Sequence, residues 1–389
     1  MRQLTDSRIA KVSMRSAMLA VLAAGLMAGP ALAQSSSPSP KPKAKAKTET
    51  KSDIKSETKT AKKSLTGAAR ISNSPLPSYD NDTARRISAT MLSYSTLEVR
   101  GGWPTLPPDV MKLAPGSSGP EVALLRQRLA ITDDLPAEVA DGDAYDMMLT
   151  EAVKRFQIRH GLPETGTVGP QTLEALNVPV GKRLRQLSAS MDRLNGMGFT
   201  FGQRYVVVNI PAAVAEAVED SKVTRRYVTV VGKVDRPSPT LTTQITAVNL
   251  NPTWTVPLSI LKKDIVTKMR KDPGYIGRMK MRVLDGNGNE VDAHAVDWHA
   301  DRTPNFTVRQ DSGNGNALGN VRIDMPNPHS VYMHDTNHKE FFSADYRFQS
   351  SGCTRVEGVR DFAAWILKDN DGWSRKDCLL YTSPSPRDS

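Results

Sequence analysis

Between residues 113 and 177 apolar positions recur with helical spacing. In "GPEVALLRQRLAI", Val122, Leu125 and Leu129 fall at i, i+3 and i+7, one face of a helix. The preceding "SSG" (117–119) offers capping hydroxyls. A second helix carries Met148, Val153 and Phe156 in "YDMMLTEAVKRFQIRHG", with Gly161 placed as its stop and Pro163 beyond. "TVGPQTLEALNVP" predicts a third, short helix, with Thr167 as a candidate cap and Pro170 in its first turn. Three short helices make a small bundle, and "GKRLRQLSASMDRL" (181–194) reads as a linking helix. After it the period changes. "RYVVVNI" (204–210), "RRYVTVVGK" (225–233), "TTQITAVNLNPTW" (242–254) and "SVYMHDT" (330–336) are β-branched and aromatic runs bounded by Gly, Pro and Asn. They predict a mainly β domain. A mixed, polar stretch over 257–304 interrupts it and is expected to be a functional lid.

Both ends of the chain depart from this pattern. A basic start is followed by the apolar run "AMLAVLAAGLMAG" (17–29) and "ALA" (31–33), the signature of a secretory leader over 1–33. Apart from it no run is long or apolar enough to span a bilayer, so no stable membrane anchor is expected after cleavage. Residues 34–86 are rich in Lys, Ser, Thr and Pro and predict a disordered linker. At the other end "CLLYTSPSPRDS" (378–389) breaks the composition abruptly and resembles translated sequencing adapter, a non-native tail. The remaining boundaries are 101–180 for the helical domain, 181–200 for the linking helix and 201–377 for the β domain.

Charge follows the same division. Of the net +11, residues 1–33 hold +3 and 34–70 hold +7, which leaves about +1 for the rest. The folded part is near neutral, and the high overall charge argues for no nucleic-acid groove.

The candidate chemistry lies in "HDTNHKEFFSADYRFQSSGCTRVEG" (334–358). Cys353 follows Ser350, Ser351 and Gly352, small residues that permit a tight turn where backbone N–H groups converge as an oxyanion site requires. Arg355 would hold a carboxylate or favour the thiolate, and a free thiol is a poor nucleophile until an imidazole or a positive field activates it. His334, at the end of a strand-like run, is the candidate base. Lone cysteines are more often small buried hydrophobes, so the pair stays open on these residues alone. His329, His334 and His338 occur at i, i+5 and i+9, which fits neither a strand face nor a helix face, and no metal site is expected.

Two resemblances close part of that gap. "LAPGSSGPEVALLRQRL" and "AVKRFQIRHGLPETGTVGPQTLEALN" resemble the three-helix peptidoglycan-binding domain of cell-wall enzymes. "VYMHDT" followed by "SSGCTRV", together with "GGWPTLP", "NPTWTVP" and "NALGNVRIDMPN", resembles the larger L,D-transpeptidases. One departure is Ser351, where many members carry histidine. The resemblance implies a β-sandwich catalytic domain with a lid insertion, and a periplasmic enzyme that forms 3→3 peptidoglycan cross-links. Cys353 would be the nucleophile and His334 the base, with the N–H groups of Gly352 and Cys353 as the oxyanion site. Arg355, Tyr332 and Ser351 would line the substrate site. It implies donor tetrapeptide stems and an acceptor amine as partners, carbapenem sensitivity, and no cofactor. An L,D-carboxypeptidase or endopeptidase, or a non-catalytic wall-binding protein, remain the alternatives.

Overall fold

The structure, a computed structural model, describes residues 8–11, 18–22, 71–110, 112–300, 305–344 and 346–381. Its first five α-helices are α1 (Thr83–Val99), α2 (Pro120–Ala130), α3 (Met147–Arg159), α4 (Pro170–Leu176) and α5 (Val180–Asn195). In α2 the apolar stripe lies as its spacing predicts, with Val122, Leu125 and Leu129 fully buried. In α3 the buried face is Leu149, Val153 and Phe156, while Met148 is largely exposed. The stripe is therefore one residue out at its start, because Asp146 caps the helix by accepting from the N–H of Leu149 at 2.8 Å and fixes its phase. Neither "SSG" nor Thr167 supplies a cap; Gly119 and Gly169 stand at those positions without a side-chain bond. Gly161 does end α3, at φ +67°. Helices α2, α3 and α4 share one apolar cluster with Leu106, Leu113, Tyr145 and Val168.

The linker expected over 34–86 ends earlier than its composition suggests. From residue 71 the chain is packed: the Ser78 N–H and hydroxyl donate to Glu216 at 2.7 and 2.9 Å, and Glu216 pairs with Arg226 at 2.8 Å. Tyr79 stacks among Phe199, Phe201 and the buried Tyr205. A single aromatic side chain with a buried ion pair beside it holds a segment that is otherwise polar.

Among the described residues fifteen strands make two sheets. In chain order they are β1 (Arg8–Lys11), β2 (Met18–Leu22), β3 (Arg204–Asn209), β4 (Val214–Glu219), β5 (Lys222–Gly232), β6 (Thr242–Gln244), β7 (Ala247–Leu250), β8 (Trp254–Thr255), β9 (Met281–Leu284) and β10 (Glu290–Val291). β11 (Thr307–Gln310), β12 (Val321–Asp324), β13 (Met333–His334), β14 (Phe348–Ser350) and β15 (Thr354–Val356) follow. The larger sheet runs β1-β7-β12-β13-β15-β5-β4-β3-β2-β6, with β14 on β5. Side chains from both halves of that order, Val206 and Ala217 from one and Val248, Ile323 and Met333 from the other, meet in one core. The sheet is folded over on itself as a sandwich, and α9 (Val359–Ile366) packs Phe362 and Ile366 into it. β4, "VAEAVE", is a strand that the runs of β-branched residues did not point out.

Two pieces of the expected leader are strands here. β1 pairs with β7, and β2 sits between β3 and β6. An apolar run such as "MLAVL" suits a buried strand as well as a leader, and periodicity does not separate the two. The rest of 1–33 lies outside the described residues, as does most of the linker. At the C-terminal end the break in composition at residue 378 is not a break in packing. Cys378 is a buried residue of the main core, on α10 (Arg375–Tyr381).

The insertion over 257–304 is more ordered than its polar composition suggests. β10-β9-β11-β8 form a four-stranded sheet. With α6 (Leu258–Ile260), a π-helical turn (Leu261–Ile265), α7 (Val266–Lys271) and α8 (Tyr275–Arg278) they enclose a separate apolar cluster of Leu261, Ile265, Met269, Val283, Trp298 and Val308. The insertion thus has a sheet and an apolar core of its own.

Candidate active site

The site is built by strand register. β13 pairs with β15 in parallel, with Met333 opposite Thr354 and His334 opposite Arg355, and the Thr354 N–H donates to the Tyr332 carbonyl at 3.1 Å. Side chains alternate along a strand, so Tyr332 and His334 share a face with Cys353 and Arg355, while Met333 and Thr354 turn the other way. Met333 is fully buried in the core, which fixes which face is which. Two more strands extend the site. Arg322 of β12 lies opposite His334, and Asn249 of β7 lies opposite Arg322.

Arg322 forms a bidentate pair with Asp324 at 2.7 and 3.1 Å, and Asn249 donates to the same carboxylate at 2.5 Å. The guanidinium of Arg322 stands over the Tyr332 ring, 5.7 Å from its centroid, and Tyr332 meets the His334 imidazole edge-on at 5.6 Å. Trp254, the first residue of the lid's sheet, stands beside the Tyr332 hydroxyl. Its indole N–H and His334 Nδ1 are buried without a partner among the described residues.

Cys353 sits at the end of a turn held from beneath. Gly352 has φ +118°, a conformation that favours glycine. The Gly352 N–H donates to the Ser350 hydroxyl at 3.1 Å, and that hydroxyl donates to the Cys353 carbonyl at 2.5 Å. The Ser238 hydroxyl, accepting from the Gly232 N–H at 2.9 Å, donates to the Gly352 carbonyl at 2.7 Å. Of the two N–H groups expected to form an oxyanion site, that of Gly352 is bonded to Ser350, while that of Cys353 has no partner among the described residues. Ser351 is on the exposed rim and accepts from Arg236 at 3.2 Å.

Burial sets the electrostatics. It pushes the Cys353 thiol up, with the Tyr332 backbone and Arg355 opposing weakly. It also pushes His334 down to about 3, followed by the charges of Arg355 and Arg322. Near neutral pH the pair is thiol and neutral imidazole, not a resting ion pair. Arg355, itself lowered by burial, has no carboxylate within ion-pair distance among the described residues; its neighbours are the Thr336 hydroxyl at 3.5 Å and the face of Phe341 at 5.4 Å. A buried guanidinium with no carboxylate partner, beside a thiol, is suited to an anionic substrate group. Among the described residues no group of three metal-ligating side chains is present.

Sequence reasoning named Tyr332, His334, Ser351, Gly352, Cys353 and Arg355, and the fold brings all six to one end of β13 and β15. It missed Ser238, Arg236, Arg322, Asp324 and Asn249. The quoted "NPTWTVP", which contains Trp254, and "NALGNVRIDMPN", which contains Arg322 and Asp324, pointed to some of the surrounding groups without singling out these residues.

Fold and site together define the class: a mainly β domain with an insertion that has its own apolar core, preceded by a small helical bundle. Residues 203–372 match the family described as "L,D-transpeptidase catalytic domain", and residues 118–176 match the "Putative peptidoglycan binding domain". The chain thus carries an L,D-transpeptidase catalytic domain behind a peptidoglycan-binding domain. A Haemophilus influenzae protein described as "Putative L,D-transpeptidase" is 34% identical over 178 residues. That match takes in 45% of this chain and 36% of the relative, about a third of the relative's length. Solved structures with a similar description include an L,D-transpeptidase of Xylanimonas cellulosilytica (19% identity, 69% of this chain and 95% of that one, TM-score 0.20). Another is that of Stackebrandtia nassauensis (14% identity, 67% and 90%, TM-score 0.26).

Proposed function

We propose that the chain is a cysteine L,D-transpeptidase of the cell envelope that joins two peptidoglycan stems by a 3→3 link. The observation that supports this most is the in-register pairing of β13 with β15, which sets Tyr332, His334, Cys353 and Arg355 on one face. Cys353 Sγ attacks the carbonyl of the third residue of a tetrapeptide stem while His334 takes the thiol proton. The Cys353 N–H stabilises the oxyanion. The imidazolium returns its proton to the departing amine of D-alanine, leaving a thioester. The side-chain amine of a second stem then attacks the thioester, its proton passing to His334 and then to the leaving thiolate. One amide is exchanged for another, so neither a cofactor nor a nucleotide is needed.

A carboxylate of the donor stem against Arg355 would neutralise the largest charge opposing protonation of His334, coupling substrate binding to base strength. Tyr332 and Ser351 would bound the donor site, and a β-lactam of the carbapenem type would acylate the same thiol. The peptidoglycan-binding domain would hold the enzyme on its polymer, outside the cytoplasm after removal of residues 1–33. Among the described residues no helix is long and apolar enough to cross a membrane.

The test is incubation of the purified chain with disaccharide tetrapeptides, read by mass spectrometry. Dimer and free D-alanine are expected, and Cys353→Ala should lose both while still binding wall fragments. An unchanged dimer yield from that variant refutes the mechanism. Trimmed tripeptide without dimer would make the protein an L,D-carboxypeptidase using the same thioester.

A further inference from the structure

We propose that Arg236 is a positioning residue that fastens the inserted lid to the turn bearing Cys353, and so sets how the acyl-enzyme divides between an amine acceptor and water. The inference rests on the transpeptidase reading of the site. Arg236 lies on the connection between β5 and β6. Its guanidinium grips Asp264 of the lid with two bonds, at 2.6 and 3.0 Å, and the same Nη1 donates to the Ser351 hydroxyl at 3.2 Å. One side chain therefore touches both the lid and the residue two before the nucleophile.

The two ends of this contact differ in stiffness. On the Arg236 side the backbone is wedged. A Cβ on Gly232 would meet Ser238 N at 2.3 Å, Arg236 O at 2.5 Å and Pro237 C at 2.6 Å, so the connection lies directly on β5. Ser238 then bonds the carbonyl of Gly352. On the other side Asp264 lies in the π-helical turn Leu261–Ile265, an irregularity in hydrogen bonding that helices tolerate mostly at functional positions. Leu261 and Ile265 of that turn are buried in the lid's own core, so a pull on Asp264 is transmitted to the lid as a body.

Other charges modulate the pair without replacing it. Asp235 stands 4.0 Å from Arg236 Nε and 3.5 Å from Lys233, and Lys233 and Lys268 act on Asp264. The Arg236 and Asp264 side chains are 19% and 34% exposed, so the contact is screened only in part and can open. With the lid fastened, water is kept from the thioester while the acceptor stem enters from the open side. With it released, hydrolysis gains.

The experiment uses the full chain in a Cys378→Ser background, so that iodoacetamide reports Cys353 alone. Arg236→Gln and Asp264→Asn are each expected to speed alkylation of Cys353 about fivefold and to lower the ratio of dimer to tripeptide by a similar factor. The exchanged pair, Arg236→Asp with Asp264→Arg, is expected to restore both readouts at least in part. In the parent chain molar salt should speed alkylation, and in Arg236→Gln it should not. A parent alkylation rate indifferent to salt, or single variants with unchanged rates and product ratio, overturns the inference. If the parent makes neither dimer nor tripeptide, the proposed reaction falls while the alkylation rates still judge the fastening.

Discussion

Ser238 offers the sharpest test of how the nucleophile is held. Its hydroxyl accepts from the Gly232 N–H at 2.9 Å and donates to the Gly352 carbonyl at 2.7 Å, and the residue is buried. Ser238→Ala removes one oxygen and strands two backbone groups of the interior. Each costs about 1–3 kcal/mol when left without a partner, so the variant should lose ~2–4 kcal/mol after local relaxation. The carbonyl freed is that of the peptide joining Gly352 to Cys353. Its N–H is the proposed oxyanion donor, and without Ser238 the Ser350 bonds and the Arg236–Ser351 contact are left to restrain the turn. A rotation that misplaces this donor should cost about 10²-fold in turnover, the scale seen for loss of one oxyanion donor. Urea denaturation measures the first quantity, and the rate of dimer formation with saturating donor measures the second. A stability loss with unchanged turnover would refute the link between Ser238 and the oxyanion site. Unchanged stability would refute the hydrogen-bond chain itself.

Two further outcomes follow from burial and from the sheet order. His334 is held down at about 3 in the fold, against 6.5 when exposed, so its neutral form is the one the fold stabilises. That stability is present in full above pH 6.5 and is lost as pH falls from 6.5 toward 3, by up to about 5 kcal/mol; thermal melts of the parent and His334→Phe should diverge above pH 6 and converge below pH 4, and parallel curves would refute the assignment. For the leader, N-terminal sequencing of protein recovered from the periplasm should begin at Gln34, which removes β1 and β2 and opens the β3 edge; a sequence beginning near residue 1 would instead keep both strands in the mature sheet.

Much of the site was readable from the chain because its chemistry is local. Ser350, Ser351, Gly352, Cys353 and Arg355 lie within six positions, and the one-residue alternation of a strand already puts Cys353 and Arg355 on a common face. His334 was readable as the residue ending a β-branched run, although only Met333–His334 of that run is a strand. Which of the two expected donors, Gly352 and Cys353, has its N–H free was invisible in sequence. Whether a backbone N–H is free depends on whether a hydroxyl two residues earlier turns toward it, and Ser350 does.

By itself the sequence determined the halves of the molecule: a helical bundle from its 3.6-residue period, a β domain from its β-branched runs, and a cysteine turn whose small residues allow a positive φ. Tertiary structure decided what those pieces do together. The parallel register of β13 against β15 exists only once α9 and the folded-over sheet bury Met333, because a slip of one residue would put the imidazole into the core and the methionine outside. Arg236, Ser238 and Asp264 lie 117, 115 and 89 residues from Cys353 in the chain and carry no shared spacing. Their meeting is set by where β5 ends and where the lid's core rests, and long-range packing of that kind leaves no periodic trace in the order of residues.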